Sequence, residues 1–380
     1  MKHLFRGHYW FIIRPDAISA LHNETLRKVL NWYYSVFIDD HPAKFHIAKA
    51  VPLPNDIKLA EDLETLWSIH TKLTTYFNEL WNEVKKSGVK FSEFKKQYGE
   101  AKTSLLDLDI EIAFRLLKRC RLCEWKCNVD RTSSSGGVCK LGISSYVHSW
   151  FLHTGEEAPL VPSGTIFYGS CNFRCVFCQN WDISQEDPYK GIEVNPRNLS
   201  LIQRELRVNG ARNINHVGGE PTPNLYNILA SLKHLNVNVP QLWNSNFYMS
   251  EEAMNLLSHV IDIWLPDFKY GNNECALRLS KIPRYVEIVT RNIRKAIEWG
   301  DMIIRHLVLP SHIECCSKPV LKWIADNIQK YRVVVNIMDQ YRPEYKAYEY
   351  KDISRRPSTQ ELEEVYGYAD QLGVLWRDVS

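Results

Sequence analysis

Long apolar runs are missing from this 380-residue sequence. Nothing in it approaches the about 18 consecutive apolar residues that a membrane-crossing helix requires. An excess of one charge is missing too. With 47 Lys and Arg against 44 Asp and Glu, the formal net charge is only +3. That is too little to argue for nucleic acid or an anionic membrane as partner. The opening stretch MKHLFRGHYWFIIRPDAIS has a short apolar patch, but polar residues break it and no signal-cleavage pattern follows. The expectation is a cytoplasmic protein with no membrane partner. A disulfide framework is also absent. Of the ten cysteines, seven crowd between Cys120 and Cys178 in two tight groups, a distribution that reads as ligation of metal or a cluster.

The texture of the chain changes twice. Residues 1–115 carry helical periodicity: Leu59, Leu63, Leu66, Ile69, Leu73 and Phe77 recur every three or four positions, which predicts an all-helical region. The aromatic group Trp32, Tyr33, Tyr34 and Phe37 reads as core packing. Residues 116–162 are rich in Cys, Gly and Ser with few periodic apolar residues, which predicts a metal-organised segment. SSSGG at 133–137 reads as a turn. From 163 to 380 strand-like and helix-like stretches alternate. Strands are expected at 165–169, 214–218, 241–245, 261–267, 302–309 and 333–338, with helices at 225–235, 251–259, 285–299, 319–329 and 359–372. Such alternation implies a parallel sheet with crossover helices. Six units suit an α/β partial (β/α)6 barrel, whose ligands bind at the C-terminal strand ends.

Directly after the first expected strand stands GSCNFRCVFCQNW, with Cys171, Cys175 and Cys178 spaced C-x3-C-x2-C. Three thiolates on one loop can hold three irons of a [4Fe–4S] cubane and leave the fourth free for a chelating cosubstrate. A zinc site would need a fourth ligand close by, and Gln179, Asn180 and Trp181 are poor candidates.

This stretch resembles the radical S-adenosylmethionine (SAM) superfamily. Together with HVGGEPTPN, LWNSNFYMS, DIWLPDFKYG, IIRHLVLPSHIECC and VNIMDQYRP, it resembles the proteins related to pyruvate formate-lyase activating enzymes, in particular their prokaryotic iron–sulfur relatives. The resemblance runs from about residue 116 to 375 and leaves the first 115 residues unmatched. It implies a radical SAM barrel, an oxidoreductase that cleaves SAM reductively to a 5′-deoxyadenosyl radical and abstracts hydrogen from a substrate. A low-potential electron donor of ferredoxin or flavodoxin type would feed the cluster.

The resemblance also distributes roles. Phe177 belongs to the cluster motif. Gly218, Gly219 and Glu220 form the turn that meets the methionine amino group. Asn244 and Ser245 stand where related enzymes often have Asp-Thr near the methionine carboxylate and a cation; the missing acid at Asn244 puts that cation in doubt. Asp267 and Lys269 share one face of an extended chain, and the resemblance gives them contacts to the SAM ribose or carboxylate; a surface ion pair is the alternative. Arg305, among apolar neighbours, must be paired if buried, either with a carboxylate of SAM or substrate or with a core Asp or Glu. His306 reads as an inward polar residue rather than a base. MDQYRP at 338–343 is a polar cap, with a substrate role or a solvated loop as its readings.

Upstream, Cys120, Cys123, Cys127 and Cys139 give C-x2-C-x3-C-x11-C. Three readings stand: a second [4Fe–4S] cluster, a structural zinc, or unligated thiols. Cys275, Cys315 and Cys316 stand apart from the two groups and read as small buried residues, with ligation or catalysis as the alternative and a redox role open for Cys315–Cys316. The substrate could be a glycine of a partner protein, as in activating enzymes. It could instead be a small molecule or RNA, with the helical N-terminus as lid or docking module. A non-enzymatic iron–sulfur electron carrier is the third alternative.

Overall fold

The computed structural model describes residues 10–55 and 57–380. One sheet contains β1 Ser145–His153, β2 Ser163–Tyr168, β3 Ile192–Val194, β4 Ile214–Gly218, β5 Gln241–Ser245, β6 Ile263–Pro266, β7 Asp301–Leu307 and β8 Val334–Met338. Their order is β3-β1-β2-β4-β5-β6-β7-β8, and every pairing from β2 to β8 is parallel. The fold is the expected α/β partial barrel: each of the six predicted strands overlaps one of these six. β5 and β6 are buried along their whole length, as strands covered on both faces must be. Trp243 and Trp264 fill the space around them.

Two strands correct the sequence reading. β1 lies inside the segment taken to be metal-organised, and pairs antiparallel with both β2 and β3. Its apolar alternation is weak because only Ser145 and Val147 are buried and its register with β2 shifts between Val147 and Ser149. β3 has three residues, two of them exposed, so it carries almost no periodicity to detect.

Among the described residues of 10–118, the elements are all helices, joined by loops of which Pro52 and Ser104 form an isolated antiparallel bridge. The helix Leu63–Ser87 is capped by Asp62, which accepts from the Thr65 amide at 3.0 Å, and ends at Gly88 with φ 66°, a left-handed geometry that suits glycine. Its stripe Leu66, Ile69, Leu73 and Phe77 is buried. The stretch around residues 20–37 divides into Asp16–His22, Glu24–Val29 and Asn31–Phe37. Asn23 starts the second of these by accepting from the Leu26 amide at 2.9 Å.

This helical region packs across the N-terminal ends of the strands. The Trp32 indole and the Lys44 amide both donate to Asp262 Oδ1, at 2.8 and 3.0 Å, just before β6. The Tyr33 amide donates to Asp301 Oδ2 at 2.8 Å, where β7 begins. The Ala43 amide donates to Asn238 Oδ1 at 2.7 Å, ahead of β5. A lid over the C-terminal strand ends is therefore not what these helices form; they close the opposite end.

Candidate active site

At the C-terminal ends of the parallel strands lies a cavity of about 260 Å³. The loop leaving β2 supplies Cys171, Cys175, Cys178 and Phe177 to its wall. The loop turns sharply at Gly169, where a Cβ would meet the Pro188 carbonyl oxygen at 2.2 Å, and at Ser170, with φ 74°. The Ser170 hydroxyl donates to the Cys139 carbonyl, and its amide donates to Ile183 O at 2.8 Å.

Neighbours hold each sulfur. The Phe173 amide donates to Cys171 Sγ at 3.3 Å, and Asn246 Nδ2 stands 3.8 Å from it. Ser280 Oγ donates to Cys175 Sγ at 2.9 Å. Cys178 Sγ is 3.3 Å from Ser184 Oγ. Burial, with Glu220 and Cys175 adding negative charge, pushes the Cys171 thiol well up. Burial and the neighbouring Cys178 push Cys175 up to about 12. Ionising such crowded thiols calls for compensating positive charge, which a metal centre supplies.

The next strand ends complete the wall. Gly218 has φ 110°, and a Cβ on Gly219 would sit 1.9 Å from the Ser170 carbonyl oxygen. Backbone therefore lies directly against the cluster loop where any side chain would intrude. The Glu220 carboxylate is buried and tied down by Ser245 Oγ at 2.6 Å, the Asn246 amide at 2.9 Å and the Thr222 hydroxyl at 2.5 Å. Burial raises its pKa and these bonds pull it back. Asn244 and Ser245 line the cavity from β5. Asp267 and Lys269, beyond β6, also line it and form an ion pair with each other. Burial works against the Lys269 charge, but Asp267 and the nearby cysteines outweigh it and hold its pKa up.

Arg305 lines the cavity too, and of the two kinds of partner the sequence allowed, the structure supplies the protein one. Its Nε and Nη2 donate to the two oxygens of Glu157 at 2.6 and 2.7 Å, and Nη2 also meets Glu156. Arg305, Met338 and Gln340 line a second cavity of about 490 Å³ as well, alongside Arg14 and Asn23 from the helical region. His306 is fully buried, with Nδ1 2.8 Å from Phe268 O and Nε2 2.9 Å from Ser317 Oγ. Its pKa is lowered by burial to about 4, so it is a neutral brace.

One cavity thus gathers the cysteine triplet and all of Phe177, Gly218, Gly219, Glu220, Asn244, Ser245, Asp267, Lys269 and Arg305. The donor set suits a [4Fe–4S] cluster. Gln179 and Asn180 line the same cavity, where Asn180 Nδ2 donates to Gly218 O at 3.1 Å, while Trp181 stacks on Tyr345 with centroids 5.4 Å apart.

Comparison with known proteins gives the family. Residues 165–324 match the family model described as the radical SAM superfamily. The chain is 43% identical over 350 residues to protein MJ0674 of Methanocaldococcus jannaschii, itself uncharacterised, covering 91% of this chain and 98% of that one. The chain belongs to the radical SAM superfamily. Solved structures similar to this radical SAM chain include Streptococcus suis SuiB bound to precursor peptide SuiA, with TM-score 0.39 and 15% identity over 53% of this chain and 43% of that one. Another is TYW1 with a lysine-pyruvate adduct bound, with TM-score 0.34 and 12% identity over 55% of this chain and 73% of that one. At these scores the likeness is one of outline.

Sequence reasoning missed the residues that support the triplet from a distance. Ser280 lies 105 positions after Cys175, with no local signal. Asn172, inside the motif, could have been singled out. Its side chain accepts from Asn246 at 2.6 Å, and its carbonyl accepts from the Trp125 indole at 2.9 Å. The upstream cysteines are placed close by. Cys120, Cys123, Cys127 and Cys139 line one small cavity, and their segment touches the cluster loop through Cys139–Ser170 and Trp125–Asn172.

Proposed function

We propose that this chain is a radical SAM oxidoreductase of the kind related to pyruvate formate-lyase activating enzymes. Cys171, Cys175 and Cys178 would hold a [4Fe–4S] cluster, and SAM would occupy the cavity beside it. The observation that carries this reading is the single cavity shared by the triplet and the ends of the five other parallel strands. The chemistry such a cluster supplies with SAM is reductive cleavage of the sulfonium to a 5′-deoxyadenosyl radical. The protein's part is positional. The Gly218–Gly219 backbone packs directly against β2 and the cluster loop, which fixes the two walls of the cavity relative to each other. The Glu220 carboxylate, fixed by Ser245 and Asn246, presents negative charge towards an ammonium group. Asp267 and Lys269 offer opposite charges at the wall for hydroxyl and carboxylate groups. The buried surroundings keep water from a reactive radical.

The substrate in this reading is a glycine of a partner protein, with a ferredoxin or flavodoxin type protein as electron donor in the cytoplasm. The likeness of motifs to activating enzymes favours this over a small molecule or RNA. For the upstream quartet we favour a second [4Fe–4S] cluster over zinc. Among the described residues, no three of its sulfurs converge as closely as the ligands of one tetrahedral ion do. A cubane spreads its thiolates because each binds a different iron.

The test is anaerobic reconstitution with dithionite and SAM, following 5′-deoxyadenosine. The wild type should form it, and the Cys171→Ser/Cys175→Ser/Cys178→Ser variant should not. Formation by the triple variant would defeat the assignment. Iron and sulfide counts on that variant report whether the upstream quartet carries its own cluster. A glycyl radical signal in a co-expressed partner would establish the substrate.

A further inference from the structure

A second group of ligands lies away from the cavity. Cys275 sits in the first turns of the helix Asn273–Ser280, capped by Asn272, which accepts from the Cys275 amide at 2.8 Å. His312, Cys315 and Cys316 lie beyond β7, where the chain winds through a π-helical turn at Ile313–Ser317. The three Sγ atoms and one ring nitrogen of His312 all fall within 4.8 Å of one another. Nδ1 is 3.3 Å from Cys315 Sγ, 3.6 Å from Cys275 Sγ and 3.8 Å from Cys316 Sγ. Cys315 Sγ is 3.8 Å from Cys275 Sγ and 3.9 Å from Cys316 Sγ.

These separations match those around one tetrahedral ion. Zinc bonds of about 2.3 Å to sulfur and about 2.0–2.1 Å to nitrogen place sulfurs about 3.8 Å apart and sulfur and nitrogen about 3.6 Å apart. A disulfide would need sulfurs at about 2.0 Å. A cubane would need them much farther apart. Thiols are weak hydrogen-bonding groups, so mutual hydrogen bonding gives little reason for four such side chains to converge from segments 37 and 40 residues apart.

The surroundings are those of a ligating histidine. His312 is buried, and its Nε2 lies 2.9 Å from Asp352 Oδ2. With its proton on Nε2, the ring donates to this carboxylate and turns the lone pair of Nδ1 towards the sulfurs. Asp352 is fixed in turn by Arg278, whose Nη1 donates to Oδ1 at 3.2 Å and whose Nη2 pairs with Oδ2. Asn272 Nδ2 donates to Cys275 Sγ at 3.3 Å and to Cys315 O at 2.8 Å, bracing both sides.

We propose that Cys275, His312, Cys315 and Cys316 hold a zinc ion in a closed Cys3His site. Four protein ligands make it structural, and zinc is redox-inert beside an iron–sulfur centre. Its position gives it a task. The helix that carries Cys275 ends at Ser280, the donor to Cys175 Sγ. The Ser280 and Leu279 carbonyls accept from the amides of Arg174 at 3.0 Å and Val176 at 2.9 Å. The ion ties this helix to the turn after β7, and the helix end braces the triplet loop.

The experiment uses the full chain purified anaerobically, with zinc and iron measured per chain and zinc-edge X-ray absorption recorded. One zinc per chain with three sulfurs and one nitrogen is expected. Cys275→Ser/Cys315→Ser should lose that zinc and keep the iron of the triplet, and Cys120→Ser/Cys123→Ser should retain it. Zinc unchanged in the first variant, a four-sulfur shell lost only in the second, or iron in place of zinc at these residues would each overturn the assignment. Should the first variant fail to fold, cobalt substitution of the wild type decides. Visible bands of tetrahedral cobalt with thiolate charge transfer support the site, and their absence overturns it.

Discussion

Gly219 has almost no freedom to change. A methyl group there would sit 1.9 Å from the Ser170 carbonyl oxygen, so Gly219→Ala must displace the cluster loop or the turn after β4. A shift of about 1 Å in reacting groups can lower a rate by roughly 10²-fold. A loss of that order in 5′-deoxyadenosine formation is expected, with the iron content of the purified variant checking that the loop still assembles. His306 makes a different prediction. Its folded pKa of about 4 lies below the ordinary value of about 6.5. The unfolded chain therefore takes up the proton first as pH falls. The stability that His306 contributes is complete above about pH 6.5 and is lost towards pH 4, at up to about 1.4 kcal/mol per pH unit. The gap in anaerobic unfolding midpoint between wild type and His306→Asn should narrow across that interval. A gap constant from pH 7 to 4.5 would contradict the neutral-brace reading.

Between elements, two contacts can be read separately. Ser280, closing the helix Asn273–Ser280, donates to Cys175 Sγ. A donor to a cluster sulfur stabilises the reduced, more negative state, and hydrogen bonds to sulfur are among the determinants of cluster potential. Ser280→Ala should therefore lower the reduction potential of the triplet's cluster, measured by redox titration, without removing its iron. Arg305, in β7, binds Glu156 and Glu157, both beyond β1. Replacing it with Met leaves two buried carboxylates without their cation. Breaking a buried pair in this way costs about 3–5 kcal/mol, which denaturant unfolding of the variant should show.

At the scale of the whole molecule, the helices up to Lys118 cover the N-terminal ends of β5, β6 and β7. Asp262 accepts there from Trp32, Lys44 and the Gln241 amide. A chain lacking residues 1–115 would lose the Trp32, Tyr33 and Lys44 donors that now satisfy the Asp262 and Asp301 carboxylates, and would uncover the N-terminal ends of β5, β6 and β7. Limited proteolysis should release no stable fragment beginning near residue 116. Most of the barrel was legible in the sequence, because strands buried on both faces are short apolar runs and each ends in a motif. β1 and β3 were not, because half-exposed antiparallel strands carry little apolar pattern. The partners of Arg305 were not legible either, since Glu156 and Glu157 lie 149 and 148 positions away. Cys275 and Cys315 looked isolated for the same reason: chain separation hides what folding brings together.

The clasp between Arg305 and its two glutamates has a consequence for access. Together with Met338 and Gln340, the arginine stands between two chambers, the one beside the cysteine triplet and the larger one reaching towards Arg14 and Asn23. A guest in the triplet's chamber would meet a guanidinium already neutralised by Glu156 and Glu157, so a carboxylate on that guest would have to compete with two protein carboxylates for it.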